Sequence, residues 1–246
     1  MKIIIAFTIT TTAILLSATG HAAPYTWGAA SGLFPDQVSV AMALTDTSSP
    51  ENPQLAGGFL TIANDTDSEF MYYDMQGSDI AMPAHLTITA SVLFVAGNTS
   101  NSARTSALIG FATMPGIGNG VYIGQNEIFL SSAEATRGPS ASPDTSSFSH
   151  LYRIEVFGLA IGSTIQVFQD DVLQLTGNLY SSIPDNGSTE SVSFGDRTSL
   201  ASGNSQWQSF NHNAAVVPEP STLYLGAISG LFFLYRKCRN RTRGSR

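Results

Sequence analysis

Residues 150–175 read HLYRIEVFGLAIGSTIQVFQDDVLQL, and their pattern decides the fold class. In residues 152–156, Tyr, Ile and Val alternate with Arg and Glu. Because successive side chains of a strand point to opposite faces, this period of two indicates a half-buried β-strand. The paired acids at 170–171 then separate two further apolar runs. This arrangement predicts a tight hairpin turn between two strands.

The same period of two recurs along the central part of the chain. It is present in residues 38–44, 86–90 and 192–194, and clusters of Gly, Asn, Asp, Ser and Pro interrupt the apolar runs. About a dozen short strands and no long helical pattern predict an all-β protein, with two antiparallel sheets packed as a sandwich. The Pro- and Ser-rich stretch 138–143 is predicted to be a loop, and 213–217 a linker.

Three stretches of the chain carry a family resemblance. They are His-Leu-Tyr-Arg-Ile-Glu at 150–155, Val-Ser-Phe-Gly-Asp at 192–196 and Ala-Ser-Gly-Asn-Ser-Gln-Trp-Gln-Ser-Phe at 201–210. Together they resemble the C-terminal half of the concanavalin A-like/laminin G-like (LamG) jelly roll. The resemblance covers 32–212 and implies a two-sheet antiparallel jelly-roll β-sandwich. Asp171 stands where that family usually has Gly, so the turn must hold a non-Gly residue at positive φ, which Asp tolerates.

The last thirty residues form a signal in three parts. The first part is an extended motif, Pro218-Glu219-Pro220, which an enzyme can recognise. It is extended because two prolines fix φ and remove two N–H donors. Residues 223–235 are uncharged, and as a helix they are roughly 20 Å long, short of the roughly 30 Å hydrocarbon core. The basic end, 236–246, stays cytoplasmic by the positive-inside rule. The cations that stop the chain at the membrane are Arg236, Lys237 and Arg239.

The tail at 217–246 resembles the bacterial PEP-CTERM sorting signal. The resemblance implies that a membrane transpeptidase of the exosortase type recognises the tail and cuts it near 218–220. The short apolar run would then be one transmembrane helix that is removed after sorting. Two alternatives stay open, a plain tail anchor and a buried core helix followed by a solvated basic end.

The N-terminal residues 1–22 have the pattern of a secretory signal peptide. Lys2 supplies a positive charge, an apolar stretch follows, and Gly20 and Ala22 place small residues three and one before a cut. The alternative is a permanent N-terminal anchor. The chain is therefore divided into a signal peptide (1–22), a sandwich domain (23–216) and a sorting signal (217–246). We expect export, transient residence in the inner membrane, and delivery to the cell surface or extracellular matrix of a Gram-negative bacterium.

The net charge of the sandwich domain limits the classes of molecule that it can bind. It contains four arginines, no lysine and 17 acidic residues, a net charge of −13. Such a surface repels a phosphate backbone, so nucleic acid is excluded as a partner. The single cysteine, Cys238, lies in the tail, so the domain has no disulfide.

The candidate catalytic patterns are incomplete, so no catalytic residue and no enzymatic activity are predicted. A glycosidase needs two carboxylates about 5 to 9.5 Å apart. Glu127 and Glu155 each stand alone in an apolar strand pattern. The domain has no Gly-x-Ser-x-Gly elbow. Its histidines, His85, His150 and His212, lack metal-ligand spacing, and the first two are expected to begin strands.

A calcium site is the weak metal candidate, and no other cofactor is predicted. Asp65, Asp67 and Glu69 place three acids within five residues, and hard cations bind carboxylate oxygens. The stretch lacks the Gly and the distal Glu of an EF-hand loop. A solvated turn is the competing interpretation.

Sugar binding is the remaining candidate activity, with a polysaccharide as the partner. Tyr122, Asn126 and Glu127 are expected to form an exposed cluster that combines a ring for stacking with polar groups for hydroxyls. Tyr72 and Tyr73 are further candidates, whereas Trp207 is expected in the core. The leading hypothesis is a non-catalytic, glycan-associated surface or matrix protein. A structural or adhesive surface protein without a small-ligand site is the alternative, and a secreted glycan hydrolase or lyase is the third.

Overall fold

A computed structural model describes residues 24–47, 53–66, 68–97, 104–133, 136–181, 189–198 and 201–216. Within these residues the chain forms seventeen strands, one α-helix, α1 (Pro35–Val38), and two short 3-10 turns. The strands are β1 (Pro24–Gly28), β2 (Ala43–Asp46), β3 (Gln54–Ala56), β4 (Phe59–Asn64), β5 (Met71–Gln76), β6 (Ile80–Ala81), β7 (His85–Gly97), β8 (Ala107–Met114), β9 (Ile117–Gly124), β10 (Glu127–Ala133), β11 (Thr136–Ala141), β12 (His150–Phe157), β13 (Thr164–Gln169), β14 (Val172–Asn178), β15 (Tyr180–Ser181), β16 (Ser191–Asp196) and β17 (Gly203–Val216).

The strands form two antiparallel sheets. The first sheet has the order β14-β13-β12-β7-β17-β4-β3, with β1 and β6 also paired to β17. The second has the order β11-β10-β9-β8-β16-β5-β2, with β15 paired to β9. The prediction of an all-β, two-sheet sandwich is therefore confirmed.

The core lies between the sheets because alternate residues of each strand point inward. Leu86, Ile88, Ala90 and Val92 of β7 are fully buried, whereas the residues between them are partly exposed. Phe194 of β16 joins the two sheets. Its ring centroid lies 4.9 Å from that of Trp207 and 4.4 Å from that of Phe210.

The hairpin between β13 and β14 confirms the predicted turn. Asp170 and Asp171 have φ angles of 50° and 64°, so both adopt the left-handed conformation that this two-residue turn requires. The Asp170 side chain also stabilises the neighbouring strand, because its Oδ1 accepts a hydrogen bond of 2.9 Å from the amide of Leu151. Two aspartates therefore form this turn without a glycine.

The predicted strand at 38–44 is wrong over its first half. Residues 35–38 form α1, and β2 begins only at Ala43. Pro35 occupies the first helical turn, where its fixed φ suits a helix. The Gln37 side chain accepts a hydrogen bond of 2.9 Å from the amide of Phe34. Val40 is exposed, so its place in the apolar alternation does not indicate burial.

Two segments predicted to be irregular are strands. Residues 136–141 form β11, an edge strand that pairs with β10 alone, and an edge tolerates Pro139 because its missing N–H can face outward. Residues 213–216 are not a linker but the end of β17, where Ala215 pairs with Pro24 and Val216 with Ile80. The end of β17 was missed because its partners, β1 and β6, are remote in sequence. β11 pairs with the neighbouring β10 and was missed because its Gly, Pro and Ser residues are typical of a loop.

The predicted signal peptide and sorting signal lie outside the described residues. This applies to 1–22, to the motif Pro218–Pro220, to the apolar run 223–235 and to the basic end 236–246. None of the helices in the described part of the chain combines the length and the apolar character needed to cross a bilayer.

Candidate functional site

A row of large side chains crosses the outer face of the second sheet. The register places Tyr72 beside Gly195, Gly195 beside Leu108, and Leu108 beside Tyr122. Phe129 follows on β10, opposite Tyr122. Leu108, Tyr122 and Phe129 form a cluster separate from the main core, which shows that they lie on the opposite face of the sheet.

Gly195 allows β16 to lie close to the backbone of β5. Its φ is 122°, a conformation that side-chain-bearing residues rarely adopt. A Cβ at this position would lie 2.7 Å from the carbonyl oxygen of Met71. A side chain at this position would therefore collide with the backbone of β5.

Three of the four arginines of the sandwich domain lie over this row. The guanidinium carbon of Arg137 is 4.4 Å from the ring centroid of Phe129, that of Arg197 is 5.0 Å from Tyr72, and that of Arg104 is 5.5 Å from Tyr122. We call these three arginines and three rings the arginine face. Each pair has the geometry of a cation–π contact. The fourth arginine, Arg153, lies over Phe168 on the first sheet.

The ion pair between Arg137 and Glu127 is a partly exposed part of the outer face. Arg137 donates from both terminal nitrogens to the two carboxylate oxygens. The side chains remain 32% and 23% exposed, so the pair itself contributes less than about 1 kcal/mol to stability. The exposed part of this pair can be reached by polar groups of a ligand.

Asp74 is the buried acid of this face. It lies on the same outer face, two residues along β5 from Tyr72, beside Ser193 and Gly110, and is only 3% exposed. Burial raises the pKa of the Asp74 carboxyl, and the positive charge of Arg197 opposes that shift only in part. A buried carboxyl with a raised pKa is typical of functional sites. Arg197 also donates a hydrogen bond of 3.5 Å to the Ser193 hydroxyl.

The predicted sugar cluster is corrected at Tyr122. Its ring is 3% exposed because it stacks on Phe129, with ring centroids 5.0 Å apart, and receives a hydrogen bond from Arg104 on its hydroxyl. The expectation of an exposed stacking ring is therefore wrong. Glu127 does share the face with Tyr122. Asn126 is exposed in the β9–β10 turn at a φ of 55°.

The remaining aromatic candidates lie in two places, the core between the sheets and the outer face of the second sheet. Trp207 is fully buried, as predicted, and Tyr73 is buried beside Phe194. Tyr72 is half-buried on the outer face under Arg197. It is the ring of the arginine face that remains partly accessible.

The predicted calcium residues are described only in part. Asp65 is exposed and Glu69 is half-buried in the β4–β5 connection, whereas Asp67 lies outside the described residues. Both polar atoms of the Asn64 side chain are used in hydrogen bonds, to the Glu69 carbonyl and from the Thr66 amide. Among the described residues no three His, Cys, Asp or Glu side chains are placed to hold a metal ion. Calcium binding at this stretch stays a prediction.

The histidines and Glu155 have structural partners. His85 and His150 begin β7 and β12, as predicted. His150 is buried, with its Nδ1 2.6 Å from the Asp170 carboxylate. Glu155 accepts a hydrogen bond from Arg153 and lies 3.8 Å from the His85 ring nitrogen.

Two described carboxylates lie on the outer face of the second sheet, and they are far apart. Asp74 is on β5 and Glu127 on β10, four strand steps away in the order β5-β16-β8-β9-β10. At about 4.8 Å per step the separation is roughly 19 Å. A glycosidase needs its pair about 5 to 9.5 Å apart. These two acids therefore cannot act together on one glycosidic bond.

The sequence did not single out Asp74 or the three arginines. Asp74 lies in β5 (Met71–Gln76), among tyrosine and methionine residues. An acid at an outward-facing position of an otherwise apolar strand is the sequence signal that could have identified it. The arginines join the face through pairings between β16 and β5 and between β10 and β11. Single-residue patterns carry no information about such pairings.

No family model matches the chain, and no curated protein matches it. Among solved structures it is similar to the Emp46p carbohydrate recognition domain in its potassium-bound form, with 8% identity and a TM-score of 0.44 over 75% of this chain and 94% of that chain. The VIP36 exoplasmic/lumenal domain in its Ca²⁺/Man3GlcNAc-bound form gives 9% identity and 0.42, over 75% and 88%. The endo-1,3-beta-glucanase from Streptomyces sioyaensis gives 12% and 0.43, over 73% and 91%. At such low identities and TM-scores nothing about function follows from these similarities.

Proposed function

We propose that this chain is an exported, non-catalytic glycan-binding protein with a concanavalin A-like jelly-roll domain, and that its ligand lies on the arginine face. The observation that carries this proposal is that one sheet face collects three of the four domain arginines, each over an aromatic ring. The same face holds Glu127 and the buried Asp74. Domain composition alone gives no reason for such a concentration.

The chemistry of the arginine face suits sugar hydroxyls. A guanidinium stacked on a ring presents several N–H donors in a fixed planar fork. Glu127 adds acceptor oxygens beside the Arg137 donors. Paired donors and acceptors of this kind bind vicinal hydroxyls, while Tyr72 offers a partly accessible apolar surface. The strongly acidic domain favours a neutral polysaccharide over an anionic one.

The wide separation of Asp74 and Glu127 supports a binding role rather than hydrolysis. The pair cannot supply an acid and a nucleophile to one bond. Binding without turnover is therefore the function that the described residues support best.

Export and sorting are part of the proposal. The signal peptide at 1–22 would direct secretion. The tail at 217–246 would hold the protein briefly in the inner membrane until an exosortase-type enzyme cuts near 218–220 and releases it to the cell surface or matrix. Both steps are supported by the sequence patterns at the two ends of the chain.

Arg137→Ala is expected to weaken glycan binding at least about tenfold, a change of about 1.4 kcal/mol. It removes a partly exposed cation of the arginine face. The measurement is an array of neutral and acidic polysaccharides probed with the purified protein, followed by titration of the best ligand.

Arg153→Ala is the matched control for this experiment. Arg153 is 28% exposed, lies over a ring and pairs with a glutamate, as Arg137 does, but it belongs to the other sheet. The Arg153→Ala variant should bind the glycan with the same affinity as the wild type. Absence of binding to every glycan would favour the structural or adhesive alternative, and hydrolysis of a bound polysaccharide would favour the enzyme.

A further inference from the structure

An open groove crosses the outer face of the first sheet, where β1, β17 and β7 lie side by side. Thr87 and Thr89 alternate along β7 with fully buried residues, so their side chains point away from the core. Asn211 alternates in the same way with the buried Phe210 and His212 of β17. The groove has a volume of about 190 Å³, and we call it the asparagine groove. Its lining residues are Pro24, Tyr25, Thr26, Thr87, Thr89, Asn211, His212 and Asn213.

The groove lies where two neighbouring strands separate. β17 and β7 pair through their backbones as far as His212 and Ile88, and β17 pairs with β6 further on. Beyond His212 the side chain of Asn213 connects the two strands. Its Oδ1 accepts a hydrogen bond of 2.8 Å from the amide of Thr87, and its Nδ2 donates one of 3.0 Å to the carbonyl of His85. A side-chain amide thus takes the place of a peptide group, and its position is fixed.

Asn211 supplies an acceptor that the described residues leave unused. Its Nδ2 donates a hydrogen bond of 3.2 Å to the Thr89 hydroxyl, which fixes the orientation of the amide. Its Oδ1 is buried and has no hydrogen-bond partner in the part of the chain that the structure describes. An unpaired buried oxygen is destabilising, so a ligand that donates an O–H group to it would gain affinity.

The groove combines an apolar surface with amide groups, and its lining residues are uncharged at pH 7. Most of its accessible lining is apolar. Burial lowers the pKa of His212 to about 4, so this ring is neutral. A sugar ring has the matching character, since its C–H faces are apolar and its edge carries hydroxyl groups. The groove is smaller than the roughly 300–1,000 Å³ of pockets for drug-sized ligands, so one sugar unit of a chain is the expected occupant.

We propose that the asparagine groove is a second glycan site, and that the protein cross-links neutral polysaccharide chains. This inference rests on the proposed glycan binding by the arginine face. That face belongs to the second sheet, so the two sites point in opposite directions with the core between them. Because packed sheets lie about 10 Å apart, one short glycan segment cannot occupy both sites. The two sites therefore hold separate chains, or distant segments of one chain.

Arg153 lies on the same sheet face as the groove but outside it. It belongs to β12, and its guanidinium lies over Phe168 of β13, on the side of β12 away from β17. Arg153 is therefore a control for both glycan sites.

The number of oligosaccharides bound by one chain tests this inference. The purified protein is mixed with cellotetraose, mannotetraose or xylotetraose, which are neutral, and native mass spectrometry counts the bound molecules. Asn211→Leu removes the unpaired oxygen. Thr26→Arg places a long side chain at the groove, and because Thr26 is exposed this variant keeps the fold. Gln166→Leu and Thr176→Arg are the matched controls, since they change a half-buried amide and an exposed threonine of the same sheet outside the groove.

We expect two bound tetrasaccharides in the wild type and in both controls, and one in each groove variant. The remaining one should be lost when Arg137→Ala is added. One tetrasaccharide in the wild type, kept by both groove variants and lost with Arg137→Ala, would overturn the second site and leave the proposed function standing. The reverse pattern would overturn the arginine face as the ligand site. No bound tetrasaccharide would overturn both.

Viscosity of a dissolved glucomannan tests the cross-linking itself. The wild type should raise the viscosity, whereas the Asn211→Leu and Thr26→Arg variants, with one site each, should leave it unchanged. An equal rise with the wild type and with both variants would overturn cross-linking through the asparagine groove.

Discussion

Phe194→Ala is expected to lower the free energy of unfolding by about 4 kcal/mol. The ring is 1% exposed and contacts four other rings, those of Trp27, Tyr73, Trp207 and Phe210. Three of these partners belong to the first sheet, so truncation opens a cavity where the two sheets meet. A loss of this size is a large share of the roughly 5–15 kcal/mol by which domains are stable.

Urea unfolding followed by tryptophan fluorescence measures this loss directly, because Trp27 and Trp207, the only tryptophans in the chain, both lie beside Phe194. Phe157→Ala is the matched control. Phe157 is an exposed phenylalanine on β12, and its removal should cost less than about 1 kcal/mol. A loss at Phe194 no greater than that at Phe157 would contradict the assignment of this ring to the inter-sheet core.

Acid is expected to destabilise the protein by about 3 kcal/mol between pH 7 and pH 4 through His212 alone. Burial of the imidazole lowers the pKa of His212 from 6.5 to about 4, and the hydrogen bond to the Ala214 carbonyl opposes this shift only in part. Between these two values the unfolded chain binds more protons than the folded one. The contribution of neutral His212 to the free energy of unfolding is therefore complete above pH 6.5. It decreases as the pH falls below 6.5 and is lost as the pH falls through 4.

His212→Phe isolates this contribution. Phenylalanine keeps a ring against Tyr25, whose centroid lies 5.3 Å from that of His212, but it does not titrate. Unfolding free energies at pH 7 and pH 4 should differ by about 3 kcal/mol less in the variant than in the wild type. His85→Phe, at an exposed histidine, should keep the wild-type difference. An undiminished acid loss in His212→Phe would show that His212 is not the group responsible.

Local pattern predicted the elements whose partners are close in sequence. The β12–β13–β14 unit was found because its alternation and its Asp170-Asp171 turn lie within one short stretch. Local pattern failed at β11, whose sequence is typical of a loop, and at the end of β17, whose partners are remote in sequence. β11 and the end of β17 have sequences that are typical of loops, and they become strands only because β10, β1 and β6 supply hydrogen bonds.

The same limit applies to the candidate site. Glu127 and Tyr122 were recognised together because they are five residues apart on one hairpin. Asp74 and Arg197 meet only through the pairing of β5 with β16, more than a hundred residues later. The burial of Tyr122 also depends on Arg104, which precedes β8 and whose position follows from tertiary packing. Composition did show that arginine is scarce, but not that three of the four share one face.

Arginine labelling with phenylglyoxal, read by mass spectrometry with and without saturating glycan, tests the proposed site most directly. Arg104 and Arg137 lie on the arginine face, and Arg153, with an exposure close to that of Arg137, lies on the opposite sheet. The proposed site predicts that bound glycan protects Arg104 and Arg137 and leaves Arg153 unchanged. Protection of Arg153 alone, or of no arginine at saturation, would contradict it.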